Sequence, residues 1–170
     1  MQKPKNDQFV KNDKKEKAKK EETAVNDEEK SKEGIEKIIK KTVGKKAGDV
    51  PKVQELEVSD LLESDTKTVR TVSVTLNGND NLTTNMIKKG MLIEAEELFP
   101  KIFENKKVGR VILTWKFPLV DTKGNSEPKK ILSIQIELKT NDERNWDNFD
   151  RDNFKTVADH YYEHLVLNKN

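Results

Sequence analysis

The sequence predicts an α+β domain: an antiparallel sheet of about four strands with helices packed on one face, in the order α-β-β-α-β-β-α. Apolar residues recur at helical spacing in three segments, and four other segments have the alternation or the composition of strands. The four strand-like segments form two pairs, each joined by a polar connection typical of a hairpin. An antiparallel sheet covered on one side by helices satisfies this order.

Composition divides the chain into a spacer and a domain. Only 32% of the 170 residues are hydrophobic and 38% are charged. Residues 1–30 contain nine Lys and eight Asp or Glu and very few apolar residues, so they cannot bury enough surface to offset the entropy of ordering. We therefore predict a disordered charged spacer over residues 1–32 and one α+β domain over residues 33–170, a size sufficient for a single core.

Charge and cysteine content bear on the class of function. The net charge is +2, and the first fifty residues hold fifteen Lys against eleven acids, so the remainder is close to −2. A nucleic-acid-binding domain usually has a pI above about 9, so no nucleic acid is expected as a partner. Binding through the Lys-rich residues 11–46 stays open as the least favoured alternative. The absence of Cys excludes disulfides, thiolate zinc sites and thiol catalysis. No membrane span or signal peptide is recognised in the sequence.

The first predicted helix is short and amphipathic. Its apolar residues fall at i, i+3, i+4 and i+8, namely Ile35, Ile38, Ile39 and Val43. Ser31 is its predicted N-cap and Gly44 its stop. Two strands follow, KVQELEV and TVRTVSVTL, and the polar LLESDTKT between them suits a hairpin connection.

The second predicted helix lies in NGNDNLTTNMIKKGMLIEAEELFPKIFEN and has a wide apolar face. Asn81, Thr83 or Thr84 could cap it. Gly90 and Pro100 are poor helix residues, so we expect a kink, or two helices meeting near Phe99.

A long hairpin and a final helix complete the predicted fold. The strands VGRVILTWKFPLVDT and KKILSIQIELKT flank a turn at residues 121–125. The last helix is predicted from about Asp150 to Leu167, with Asp150 or Asp152 as its cap. Its buried stripe is Phe154, Val157, Ala158, Tyr161 and Leu165.

Residues 160–164 read HYYEH and fit the zinc pattern H-x-x-E-H. On the predicted helix His160 and His164 lie about 40° apart, as two ligands of one ion must, but Glu163 points to solvent. Only six residues follow His164, and they contain no third ligand. We therefore predict no catalytic residue and no cofactor, and we keep His160 and His164 as weak metal candidates. A zinc-dependent hydrolase remains an alternative function.

Two further groups of residues have side chains that are typical of binding sites. The first is a cluster of acidic residues: Asp142, Glu143, Asp147, Asp150 and Asp152. Clustered carboxylates can bind calcium. This cluster lacks the Gly and the terminal Glu of the calcium-binding loop, so we interpret its residues as helix caps and turn residues. Trp146, Phe149 and Tyr162 are candidates for a partner-binding patch, because aromatic side chains anchor interfaces. The alternative for Trp146 is a hydrophobic staple on the last helix.

Three stretches carry a resemblance to a known family: NDNLTTNMIKKGML, LTWKFPLVDTKGN and NWDNFDRDNFKTVADHYYEH. Over roughly residues 50–167 they resemble a small extracytoplasmic domain of lipoproteins and other membrane-anchored proteins of low-GC Gram-positive bacteria, their phages and mobile elements. In that family the domain follows a lipidated Cys and a Lys/Glu/Asn-rich spacer, and residues 2–33 look like such a spacer. Met1 stands where the Cys would be, so the sequence as given cannot be lipidated.

The resemblance implies placement rather than chemistry, since none of the three stretches is a catalytic motif of the family. Combined with the composition, it favours a non-enzymatic, membrane-tethered module on the outer face of the cell. Its expected partner is a protein or a component of the cell envelope.

Overall fold

The structure is a computed structural model that describes residues 31–62, 68–81 and 83–168. Residues 1–30 of the predicted spacer lie outside this part, and with them residues 11–30 of the Lys-rich segment 11–46. Most of the predicted connection between the first two strands also lies outside it. The described elements are α1 (31–43), β1 (Lys46–Ala47), β2 (Val50–Pro51), β3 (Val53–Leu62), β4 (Thr68–Asn77), α2 (Thr84–Phe103), β5 (Val108–Val120), β6 (Ser126–Glu137), α3 (Leu138–Asp142), α4 (Phe154–Val157) and β7 (His160–Glu163). Short 3-10 turns cover Trp146–Asn148, Arg151–Asn153 and Leu165–Asn168.

The main sheet has five strands in the order β3-β4-β5-β6-β7, and β1 and β2 form a separate two-stranded ribbon. The α+β class and both predicted hairpins are confirmed, since β3 pairs with β4 and β5 with β6 in antiparallel fashion. The prediction of four purely antiparallel strands is wrong, because β4 and β5 run parallel and β7 is an additional strand. The physical reason is α2, which returns the chain to the end of the sheet at which β4 begins, so that β5 starts there and runs parallel to β4.

The core lies between one face of the sheet and the helices α1 and α2. Val72, Val74 and Leu76 of β4 are buried, whereas Ser73 and Thr75 between them are only half-buried. The same alternation continues in β5 and β6, so the buried residues of all three strands share one face. The opposite face carries polar side chains at half-buried positions.

The helix α1 has the predicted apolar face, with Ile35 and Ile39 buried in the core. Ser31 lies within the helix instead of at its N-cap, and its hydroxyl accepts a hydrogen bond from the guanidinium of Arg70. Gly44 ends the helix as predicted: its φ of 85° is favourable only for glycine, and its N–H donates to the carbonyl of Lys40 at 3.1 Å.

The helix α2 begins as predicted, with the hydroxyl of Thr83 accepting from the N–H of Met86 at 3.2 Å. It continues without interruption to Phe103, so the expectation of two helices meeting near Phe99 is wrong. Pro100 falls in the last turn, and complete burial of Phe99 and Ile102 offsets the lost backbone hydrogen bond. Among the described helices, none combines the length and the apolar character needed to cross a membrane.

The predicted helix from Asp150 to Leu167 is wrong. Helical structure is confined to α4 and the flanking 3-10 turns, after which His160–Glu163 pairs with β6 as the edge strand β7. Within the predicted stripe, Phe154 is fully buried, but Leu165 is 77% exposed. Exposure alternates along β7, which is the pattern of a strand, and its two tyrosines favour that conformation.

Candidate functional site

The first four residues of the H-x-x-E-H pattern form the strand β7 and His164 follows it, so the extended chain separates the two histidines. Four residues of strand span ~13 Å, so His160 and His164 are not neighbours as they would be on one turn of a helix. The Nδ1 atom of His164 also accepts a hydrogen bond from the N–H of Val166 at 3.1 Å. In the part of the chain that the structure describes, no group of three His, Asp or Glu side chains could hold a metal ion. The helical geometry that made the histidines metal candidates is therefore wrong.

Glu163 does not point to solvent as predicted: it pairs with the buried Leu132 on the core side of the sheet, and its side chain is only 7% exposed. Its carboxylate accepts hydrogen bonds from Lys88 Nζ at 2.9 Å and from the Tyr161 hydroxyl at 2.6 Å. Burial alone would raise the pKa of Glu163, but the two hydrogen bonds and the charge of Lys88 outweigh it and lower the pKa. Burial and the adjacent carboxylate raise the pKa of the Tyr161 hydroxyl, so Tyr161 is a donor rather than a base.

We expect the change Glu163→Gln to reduce the dependence of stability on pH in the acid range. Because the folded state lowers the pKa of Glu163 below its usual value of about 4.3, this carboxylate stabilises the fold above that pH. Its contribution is lost as the pH falls through the folded-state pKa. Urea unfolding between pH 3 and pH 7 should show a flatter slope for the variant and a loss of about 1–2 kcal/mol at pH 7.

The matched control for this variant is Glu97→Gln, on an exposed carboxylate of α2. The control should follow the wild-type pH profile. Identical profiles for wild type and Glu163→Gln would contradict the role assigned to the Lys88–Glu163–Tyr161 cluster.

A buried charged cluster joins α2 to the beginning of β3 and to β5. Lys52 is fully buried, and its Nζ lies 2.5 Å from Glu94 Oε1, in ion-pair contact but outside hydrogen-bond geometry. Glu94 Oε2 accepts from the indole N–H of Trp115 at 2.7 Å, and Oε1 accepts from the Asn79 amide at 3.2 Å. Both carboxylate oxygens are thus engaged by groups of the protein itself, which is the arrangement of a structural cluster.

Sequence reasoning missed this cluster, although one of its members carried a signal. Glu94 lies three residues after Met91 and four before Leu98, both on the buried face of α2, so the helical spacing places a carboxylate in the core. A buried carboxylate needs a partner. No comparable signal marks Lys52, which lies between β2 and β3.

Aspartates cap turns near the C-terminal end of the chain. Asp150 Oδ1 accepts from the N–H of Asp152 at 3.0 Å, so the capping interpretation of Asp150 holds for a 3-10 turn instead of a long helix. Asp159 accepts from the N–H of Glu137 at 2.8 Å and from the Thr140 hydroxyl at 2.9 Å.

Asp159, Glu137 and Thr140 border a cleft of about 750 Å³ at the end of the sheet, and Arg110 also lines it. Arg110 Nε lies 2.6 Å from Glu137 Oε1, so this pair is engaged within the cleft wall. The side chains of Asp159 and Thr140 are likewise hydrogen-bonded to each other. The polar groups of the cleft therefore hold α3 and the sheet together.

The structure brings together two of the three aromatic candidates for a partner-binding patch. Trp146 and Phe149 are half-buried and 5.3 Å apart between ring centroids, and both pack on Phe154. Tyr162 pairs with Ser133, whose hydroxyl lies 3.0 Å from that of Thr114 on the polar face of the sheet. Tyr162 is therefore on the opposite face, and the three residues do not form one patch.

The edge strand β3 and the neighbouring helix α1 form an open groove. Among the described residues β3 pairs only with β4, so its other edge carries backbone groups without a strand partner. Gln54, Glu55, Glu57, Ser59 and Asp60 are exposed along it. The groove has a volume of about 520 Å³, and its lining includes Lys32, Lys40 and Lys45 on one side and residues 53–57 on the other. This groove is the candidate binding site, and sequence reasoning did not identify it.

Comparisons of the chain with protein-family models, with curated proteins and with solved structures found no match in any of the three.

Proposed function

We propose that this chain is a non-enzymatic binding module, tethered to the outer face of a cell membrane through its charged N-terminal spacer, which contacts a protein or cell-envelope partner. The observation that carries the proposal is the one-sided architecture of the domain. Among the residues that the structure describes, the helices cover one face of the sheet, and none of these residues pairs with the free edge of β3. Exposed strand edges of this kind are used for binding by strand addition.

The ionisable groups of the interior support a binding role over a catalytic one. Lys52 contacts Glu94, Lys88 contacts Glu163, and each pair joins two different elements. An acid or a base in catalysis must reach a proton on a bound substrate. Side chains that form ion pairs with one another between elements of the domain instead stabilise the fold.

The order of the segments supports the tethered arrangement. The Lys- and Glu-rich residues 1–30 directly precede α1, and α1 packs on the covered face of the sheet. A tether that enters from this side leaves the polar face free for a partner. The resemblance to membrane-anchored domains that follow a Lys/Glu/Asn-rich spacer points to the same arrangement.

The start of the native reading frame tests the tether. We expect a signal sequence that ends in a lipidated Cys upstream of residue 2, membrane fractionation of the native protein, and its cleavage by protease added to intact cells. A Cys→Ser change at that position should release the protein from the membrane fraction. A reading frame without such a signal, together with protection from external protease, would exclude the tethered placement.

A further inference from the structure

We propose that the β3 edge binds an extended peptide segment of a partner as a sixth strand of the sheet, with apolar residues facing α1 and basic residues facing Glu55 and Glu57. This inference rests on the proposed binding function and assigns it a site and a class of ligand. Its first support is the alternation of side chains along β3.

The pairing of β3 with β4 defines which side chains face inward. Leu56 pairs with Val74, a buried residue of the core face, so Leu56 also faces the core. Glu55 and Glu57 pair with Thr75 and Ser73 and therefore lie on the polar face. Because neighbouring residues on paired strands share a face, an added strand would place alternate side chains beside Leu56 and beside the two glutamates.

The groove supplies a wall for the inward side chains of the added strand. The helix α1 borders it with Glu36 and Lys40, whose charged groups lie 2.6 Å apart and pair with each other. Lys32 and Lys45 add positive charge to the same wall. Basic residues are therefore disfavoured at the inward positions, and apolar residues that can extend the contact with Leu56 are favoured.

On the polar face of the sheet, the outward positions of an added strand favour basic residues. Glu55 and Glu57 are exposed, and neither has an ion-pair partner within the described residues. Lys or Arg side chains at the outward positions of an added strand would lie directly across from them. Opposite charges at such cross-strand positions stabilise pairing by about 0.2–1 kcal/mol each.

The same charges disfavour a second copy of this chain as the occupant. Antiparallel pairing of two β3 edges would bring Glu55 and Glu57 of one copy beside the same residues of the other, and like charges in this position are destabilising. Charged side chains on an edge strand are a common way of preventing association between copies. A basic partner strand turns this repulsion into attraction.

The test is an NMR titration of the isotope-labelled full chain with the blocked peptide Lys-Val-Lys-Val-Lys-Val-Lys. We expect saturable shifts of the backbone amides of residues 54–60. A peptide with Pro in place of each Val has the same charge but cannot supply the strand hydrogen bonds, and it should not produce these shifts. A peptide with Glu in place of each Lys should bind at least about tenfold more weakly.

Charge reversal on the protein supplies the matched comparison. The double change Glu55→Lys/Glu57→Lys should weaken binding of the basic peptide by about tenfold and strengthen binding of the acidic one. The control Glu97→Lys/Glu104→Lys alters two exposed glutamates at α2 by the same net charge and should change affinity less than about twofold. Circular dichroism and unfolding midpoints verify that both variants fold. If the variant Glu55→Lys/Glu57→Lys does not fold, the single change Glu57→Gln replaces it.

Several outcomes would overturn the proposal. Equal binding of the Pro-containing peptide, shifts confined to other surfaces, or no shift at millimolar peptide would exclude strand addition at β3. Slow hydrogen exchange of the β3 edge amides in the free chain would show that another segment already occupies the edge. Sedimentation would then show whether that segment is residues 1–30 of the same chain, in a monomer, or a second copy, in a dimer. If no peptide binds at β3 but the surface tether is confirmed, only the binding site proposed here is excluded. If the peptide binds at β3 but the protein is not tethered, only the placement on the outer face of the membrane is excluded.

Discussion

Replacing Glu94 by leucine is expected to lower the free energy of unfolding by about 3–5 kcal/mol. The ammonium of Lys52 is fully buried, and Glu94 is its ion-pair partner. Without the carboxylate, Lys52 stays buried with an uncompensated charge, and the indole N–H of Trp115 loses its acceptor at 2.7 Å. Both groups are then desolvated in the folded state without a hydrogen-bond or ion-pair partner, and this lowers the free energy of unfolding.

Urea unfolding followed by tryptophan fluorescence measures this loss. The matched control is Glu97→Leu, on an exposed residue one turn further along the same helix, and it should stay within about 0.5 kcal/mol of the wild type. The double change Lys52→Met/Glu94→Leu removes both charges and should recover much of the lost stability. A single variant as stable as the wild type, or a double variant no more stable than the single one, would contradict the assigned pairing.

Replacing Phe154 by alanine is expected to lower the free energy of unfolding by about 3–5 kcal/mol. The ring is fully buried, and its centroid lies 5.8 Å from that of Phe99, 6.2 Å from that of Trp146 and 4.9 Å from that of Phe149. The cluster attaches the irregular segment after α3 to the helix α2. Removing the ring leaves a cavity that this segment has little secondary structure to close.

The comparison variant is Phe149→Ala, which truncates a half-buried ring of the same cluster and should cost about 1–2 kcal/mol. Hydrogen exchange of the β7 amides adds a local readout. In Phe154→Ala these amides should exchange faster relative to those of β4, because the segment that positions β7 is no longer held. Equal losses for the two variants, or unchanged β7 exchange, would contradict the anchoring role of Phe154.

Where a segment's structure follows from its own side chains, the sequence predicted it. The alternation in β4 and β5 identified both strands and their buried faces, because successive side chains of a strand point to opposite faces. The spacing of Ile35 and Ile39 identified α1, and Gly44 its end. Thr83 was among three predicted caps for α2, and only the structure shows that it is the one used.

The last segment shows how local periodicity can mislead. Phe154, Val157, Ala158, Tyr161 and Leu165 fit the spacing of a helix, but Phe154 is the only one of them that is fully buried. The four residues of β7 satisfy the period of a strand equally well in such a short stretch. Pairing with the backbone of β6 decided between the two, and no pattern within residues 150–167 reports that contact.

The candidate site depended on the same kind of long-range information. The charges of Glu55 and Glu57 were visible in the sequence, but their exposure on an edge required the strand order. A helix would have placed His160 and His164 side by side, whereas the strand β7 separates them. Glu94 could have been recognised as a carboxylate on a buried helix face, but its partner Lys52 lies 42 positions earlier in the chain.

By itself, the sequence determined the α+β class, the two hairpins and the apolar faces of α1 and α2. These features follow from hydrophobic periodicity and composition, which act over a few residues. Only the tertiary structure decided the parallel pairing of β4 with β5, the addition of β7, the burial of Lys52 against Glu94 and the position of β3 at an open edge. Each of these depends on hydrogen bonds or charge contacts between segments far apart in the chain, where packing selects among conformations that local preference leaves nearly equal.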